Sequence, residues 1–214
     1  MRVVIFTCGR DAGKAALATR TVPAGWSVAW CLDAPDADLP LPKGVTRIVE
    51  PFKRGLNLNG PAACLGVARV LEREARATGR VAKLDSDTLL VDPSFLLAGE
   101  LAGVAHATGG GAAYGLAYAM SSKAAQRAME GLQSDALRGV WPSAEDVAVT
   151  RAARAVGGLI PLEACWNSPH RGMPPQGVKV IHCGWTGAAS REGDGVAREM
   201  QRLGDALGIW RRGV

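Results

Sequence analysis

The 214-residue sequence predicts a single α/β domain, an α/β/α sandwich built on a mainly parallel central sheet. Three observations point there. Short β-branched runs alternate with helical stretches, glycine and proline punctuate the joints, and neither a repeat nor a linker divides the chain. With 48% hydrophobic and 21% charged residues, the composition is that of a globular core rather than a disordered or fibrous chain.

Residues 2–8 (RVVIFTC) are an apolar run closed by Gly9 and are expected as a buried first strand. Residues 11–22 follow as a helix, with Asp11 as its N-cap and Pro23-Ala24-Gly25 marking its end. Residues 26–32 (WSVAWCL) form the second strand, which runs into an acidic, proline-rich loop, and VTRIVEP at 45–51 forms the third. From Asn59 a long helix places Leu65, Val67, Ala68, Leu71 and Ala75 on one side; Pro61 suits its first turn and Gly79 its close. It feeds RVAKLDSD at 80–87, a βα-type unit. The glycine-rich stretch 107–122 combines a loop with a strand on which Tyr114 and Tyr118 share a face in the core. A helix over 122–137 takes Ser121 or Ser122 as its cap. Another over 143–158 takes Ser143, with Glu145 and Asp146 in its first turn, where acids suit the helix dipole. KVIHCGW at 179–185 is a brief strand, and 191–212 closes the chain as a helix.

The formal net charge of +5 and pI near 9.2 favour an anionic partner. The basic group Arg69, Arg73, Arg76 and Arg80 has helical spacing and is expected as a solvated face. Five cysteines, odd in number and never spaced C-x-x-C, indicate reduced thiols rather than a disulfide framework or zinc knuckle. No signal peptide and no run of the ~20 apolar residues that span a membrane is expected, so the location is expected to be cytoplasmic.

In sheets of this class ligands sit beyond the carboxyl ends of the strands, which directs attention to the loops after Cys8, Cys31 and Leu84. Asp85-Ser86-Asp87 falls there. Two carboxylates held close repel unless a cation sits with them, and such oxygen donors suit magnesium or manganese. The competing interpretation is a polar turn in which the two acids only cap the next segment of the chain.

The ordered set RVVIFTC, LNGPAACLGVARVLE, KLDSDTLLVDP, YGLAYAMSSKAAQRAM, SAEDVAVTRAA and VIHCGW resembles the GT-A glycosyltransferases over most of residues 1–190. That resemblance implies a GT-A-like (Rossmann-like) domain over residues 1–214 and a D-x-D metal site. Asp85 would contact ribose or metal, Asp87 would be the principal metal ligand, and His182 would complete the Mn2+ or Mg2+ site. Asp146 is the first candidate for the base that takes the acceptor's proton and Glu145 the second. Thr7, Gly9, Arg10, Asp33, Asn59, Lys83 and Ser86 would lie against the nucleotide sugar, with Arg10 and Lys83 offsetting diphosphate charge. Trp141, Trp166 and Trp185 are candidates for an acceptor platform. The late histidine resembles retaining members and the acidic pair inverting ones, so the stereochemistry stays open.

The implied function is metal-dependent transfer of a sugar from a nucleotide diphosphate sugar, UDP-linked by expectation, to an acceptor hydroxyl. The acceptor is a saccharide or small molecule, or a hydroxymethylated DNA base as in some bacteriophage glycosyltransferases, where positive charge would meet backbone phosphates. Two alternatives remain. CGRDAGKA at 8–15 looks like the phosphate loop of a nucleotide kinase, but Gly9 and Gly13 enclose only three residues and Ala15 replaces the hydroxyl. The other is a noncatalytic nucleotide-sugar-binding module.

Overall fold

The computed structural model of the chain describes residues 1–51, 60–107, 111–139, 144–155, 157–167, 172–184 and 193–213. In chain order its first half comprises β1 (Arg2–Phe6), α1 (Ala12–Thr21), β2 (Ser27–Leu32), β3 (Val45–Val49), α2 (Pro61–Thr78), β4 (Arg80–Asp85) and β5 (Thr88–Leu90). The second half comprises β6 (Leu101–Ala105), β7 (Ala113–Ser121), α3 (Ser122–Leu137), α4 (Glu145–Ala152), β8 (Leu159–Ile160), β9 (Cys165–Asn167), β10 (Val180–His182) and α5 (Gly193–Leu207). Seven strands form one sheet in the order β3-β2-β1-β4-β7-β6-β8, and β5-β10-β9 form a second. In the main sheet only β7 runs against its neighbours.

Near-continuous apolar runs mark strands covered on both faces, and β1 is such a strand. Val3 and Ile5 enter one layer with Ala15 and Ala18 of α1, Met200 and Leu203 of α5 and Leu89, Leu90 and Ile181 of the second sheet. Val4 and Phe6 enter the other with Val67 and Leu71 of α2, Ala124 and Leu132 of α3 and Val149 of α4. The protein is therefore α/β, with a mainly parallel mixed sheet between two helical layers. Burying a residue such as Leu71 or Leu84 contributes roughly 1.5–3 kcal/mol, and truncating it to alanine costs roughly 2–5 kcal/mol. Among the described residues no helix is long and apolar enough to cross a membrane.

Several local expectations hold. Pro61 opens α2, and Gly79 closes it in the left-handed conformation at φ 78°. Ser121, rather than Ser122, caps α3 by accepting from the Ala124 N–H at 3.2 Å, while the Ser122 hydroxyl donates to the Ala75 carbonyl. The arginines flanking α2 are engaged with neighbours: Arg69 with Glu50, Arg73 with Glu74 and Arg76 with Glu72, while Arg80 donates to the carbonyls of Leu96, Ala98 and Gly99.

Others change. Asp11 stands at the N-cap of α1 without capping it, because its carboxylate turns to Arg10 and Lys14. Ser143, the expected cap of α4, lies outside the described residues. Helix α5 stops at Leu207, where Gly208 adopts φ 62°, and residues 209–212 continue as a non-helical tail. Arg211 and Arg212 on that tail strap it to carbonyls of Thr21, Val22, Pro23 and Leu90.

Tyr114 and Tyr118 do not share a face. The β6–β7 register shifts between Gly103 and Ala105, and across that irregularity Tyr114 packs on the α1/α5 layer while Tyr118 is buried in the α2/α3/α4 layer. An irregularity of this kind breaks the two-residue alternation from which the expectation came.

Candidate functional site

Strands β1, β2, β4 and β6 point the same way, so the residues just past their ends collect along one edge of the main sheet. The chain steps outward from β1 through β2 to β3 and then returns to β4 on the other side of β1. That reversal is the topological switch point, where an open sheet parts its loops and leaves room for a ligand. Asp85 pairs with Phe6 in the β4–β1 register and therefore lies at this point. After Asp85 the chain leaves the main sheet: Leu89 and Leu90 belong to β5, which pairs antiparallel with β10. The two aspartates thus occupy the corner between the two sheets.

Below Asp85 lies a buried charge cluster. Lys83 sits on the β4 face that carries Val81, a position that elsewhere in the strand is apolar, and is only 2% exposed. A charge in such a place needs partners. Its ammonium is 2.8 Å from Asp85 Oδ1 and 3.2 Å from Glu145 Oε2, and it donates to the Gly115 carbonyl at 2.8 Å. Its Nζ lies 5.6 Å from the centroid of the Tyr118 ring, and the Tyr118 hydroxyl donates to Glu145 Oε1 at 2.8 Å. Burial works to lower the lysine's pKa, but the Asp85 and Glu145 carboxylates outweigh it and hold Lys83 as an ammonium above its ordinary range. Burial likewise pushes the Glu145 carboxyl up, against the pull of Lys83 and the Tyr118 hydrogen bond.

This arrangement bears on two expectations. Lys83 is committed inward, to Asp85, Glu145 and the Gly115 carbonyl. Glu145, 5% exposed and held by Lys83 and Tyr118, is a buried counter-ion rather than an accessible base.

Asp87 has different neighbours. His182, carried in by β10, places its Nε2 3.6 Å from Asp87 Oδ1, and the Cys183 N–H donates to the Asp87 carbonyl at 2.8 Å. Gly184 packs directly on this carboxylate, and a Cβ there would collide with Asp87 Oδ2. Burial pushes the Asp87 carboxyl up and Asp85 adds to the push, while His182 and Lys14 oppose it. An ionised Asp87 therefore calls for positive charge. Next to it, opposite His182 in the β5–β10 pairing, is Thr88, whose buried hydroxyl has no hydrogen-bond partner among the described residues.

Asp87 and His182 supply one oxygen and one nitrogen donor. Among the described residues no group of three or more His, Cys, Asp or Glu is disposed to hold a metal. A divalent cation held by these two donors would have to take its remaining ligands from water or from the phosphates of a substrate.

Asp146, at the start of α4, accepts from the Gly115 N–H at 2.8 Å and from the Val147 N–H at 2.9 Å. Gly115 packs closely there: a Cβ would lie 3.0 Å from Asp146 Oδ2, so the carboxylate would have to shift. His106, just beyond β6, lies 4.0 Å from Asp146 through its Nε2. Sequence reasoning missed this histidine because β6 (LAGVA) carries no motif.

The remaining expected residues divide. Thr7 and Ser86 are buried at the edge, and Gly9 and Arg10 are exposed beyond β1. The Gly9 N–H donates to Asp36 and the Arg10 guanidinium pairs with Asp11. Asp33 accepts from the Ala34 N–H at 2.8 Å and so opens a short 3-10 turn. Lys14, 2.9 Å from Asp11, is buried in the first turns of α1. Trp166 is half-buried on β9 against the α1/α5 layer. Asn59, Trp141 and Trp185 lie outside the described residues.

No protein-family model matches the sequence, and no curated protein matches it. The fold and the site together define an α/β protein whose sheet edge gathers acids, histidines and a buried lysine at a topological switch point.

Proposed function

We propose that this protein is a glycosyltransferase that moves a sugar from a nucleotide diphosphate sugar, UDP-linked in the first instance, to an acceptor hydroxyl, with Mn2+ or Mg2+ held by Asp87 and His182. The observation that carries this reading is the corner at the switch point, where Asp87 and a histidine from a distant strand stand together beside Asp85. When bound, the divalent cation offsets the charge that accumulates on the departing diphosphate. Asp85, steadied by Lys83, accepts hydrogen bonds from the donor's hydroxyls. Arg10, exposed beyond β1, faces the anionic donor, and the net charge of +5 favours its approach.

The acceptor is a saccharide, a small molecule or a hydroxymethylated base in DNA. Thermal unfolding with a panel of nucleotide sugars, with and without manganese, tests the proposal, because a ligand specific for the native state raises Tm by mass action. The expected result is a manganese-dependent shift with a UDP-sugar that disappears in Asp87→Ala. A shift of equal size without metal, or one that survives the substitution, refutes the reading. Retention on duplex DNA that weakens with added salt selects the DNA acceptor over the saccharide.

A further inference from the structure

His106 and Asp146 form a second ionisable pair on the same edge. Strand β6 runs parallel to β4 with β7 between them, so His106 emerges at the same edge of the sheet as Asp85. The two side chains are 17% and 16% exposed, with 4.0 Å between Nε2 and Oδ2. The imidazole also packs on Tyr114, the ring centroids 5.3 Å apart and the planes inclined at 31°. Both Asp146 oxygens accept backbone N–H groups, which fixes the carboxylate in place beside the imidazole. Histidine is the side chain most often used to take up a proton in a reaction near neutral pH.

We propose that His106, positioned by Asp146, is the proton acceptor of the transfer reaction. As the acceptor oxygen bonds to the sugar's anomeric carbon, the bond from that carbon to the diphosphate breaks and its electron pair leaves with the diphosphate. The acceptor's proton passes to the His106 imidazole, and Asp146 stabilises the imidazolium. The assignment rests on the glycosyl-transfer reading, and it makes Asp146 a positioning residue in place of the base expected from sequence.

Among the described residues, the titratable groups that interact with Asp146 or Tyr114 include Glu145 on α4, Lys83 and Asp85 on β4, Cys64 on α2 and Cys165 on β9. Burial raises Tyr114, with Cys165, Asp146 and Asp85 adding to the shift, and burial raises Cys64 and Cys165 to about 11. These three stay neutral in the physiological range. Lys83 stays charged, and Glu145 is withdrawn from the surface by Lys83 and Tyr118.

The test is kinetic. Asp146→Asn should lower kcat while keeping the donor's manganese-dependent thermal shift, and an unchanged kcat overturns the pairing. With a UDP-sugar, manganese and water as acceptor, His106→Gln should lower kcat by roughly 10²–10⁴-fold and abolish the acidic limb of the pH–rate profile. It should keep the donor's manganese-dependent thermal shift. His106→Asn provides the same readouts if the glutamine variant does not fold. Wild-type kcat with the acidic limb intact in either variant overturns the proposal and leaves the glycosyl-transfer reading standing. Failure of the wild-type protein to bind or turn over any nucleotide sugar overturns the reading and this proposal with it.

Discussion

Asp85 and Asp87 are separated by one residue and stand in opposite electrostatic settings. Asp85 is neutralised from beneath by Lys83, whose charge is shared with Glu145. Asp87 is desolvated and faces a histidine, and what it gains from positive charge does not offset what burial costs it. The difference teaches that the acidic tripeptide is not one site with two equivalent ligands. One acid is paired with a buried lysine, and the other faces a histidine.

The largest expected effect comes from breaking the closed side. Lys83→Met strands Glu145 without its counter-charge, and removing one partner of a buried pair costs about 3–5 kcal/mol. Urea unfolding checks this, and the double variant Lys83→Met/Glu145→Leu should recover most of the loss, because a well-packed apolar pair has no charge to compensate. No recovery would mean that Asp85, rather than Glu145, is the partner that matters.

A middle-sized effect is expected on the other side. The Asp87 pKa is raised in the folded state, so its contribution to stability is full below the ordinary Asp value near 3.9 and is lost as pH rises through the folded value. At pH 7 the ionised carboxylate therefore weakens the metal-free protein. In EDTA, Asp87→Asn should have the higher Tm at pH 7, by about 2–4 °C for each ~1 kcal/mol relieved, and the gap should close as pH approaches 3. Adding manganese and a UDP-sugar should reverse the order.

The smallest effect calibrates both. Arg76 and Glu72 form an exposed pair one turn apart on α2, and Arg76→Ala should change stability by no more than ~0.5 kcal/mol. A loss as large as that of Lys83→Met would show that the cost of the latter is not a consequence of burial.

Much of the fold can be read from residue order. The strand at 80–85 and the helix at 61–78 have apolar spacing and terminal residues that act locally, and Gly79 closes the helix in the structure for the same reason that it marks an end in the sequence. The acids at 85 and 87 and the histidine at 182 are likewise visible as candidates. The inversion of Tyr114 relative to Tyr118, the existence of β6 and the second sheet are not: the first rests on a register shift between β6 and β7, β6 carries no motif, and the second sheet depends on pairing between segments far apart in the chain. Glu145 looks like an accessible acid in the sequence because acids in a first helical turn look alike, whether they face water or a buried lysine.

The sequence by itself determined the α/β class, the order of most elements and the presence of two carboxylates where a buried strand ends, because periodicity and capping are properties of neighbouring residues. Only the tertiary structure decided that Lys83 meets Glu145, that Asp87 meets His182, and that His106 stands beside Asp146. Those are contacts across long sequence distances, and burial and charge pairing take their values from the contacts made, not from the residues alone.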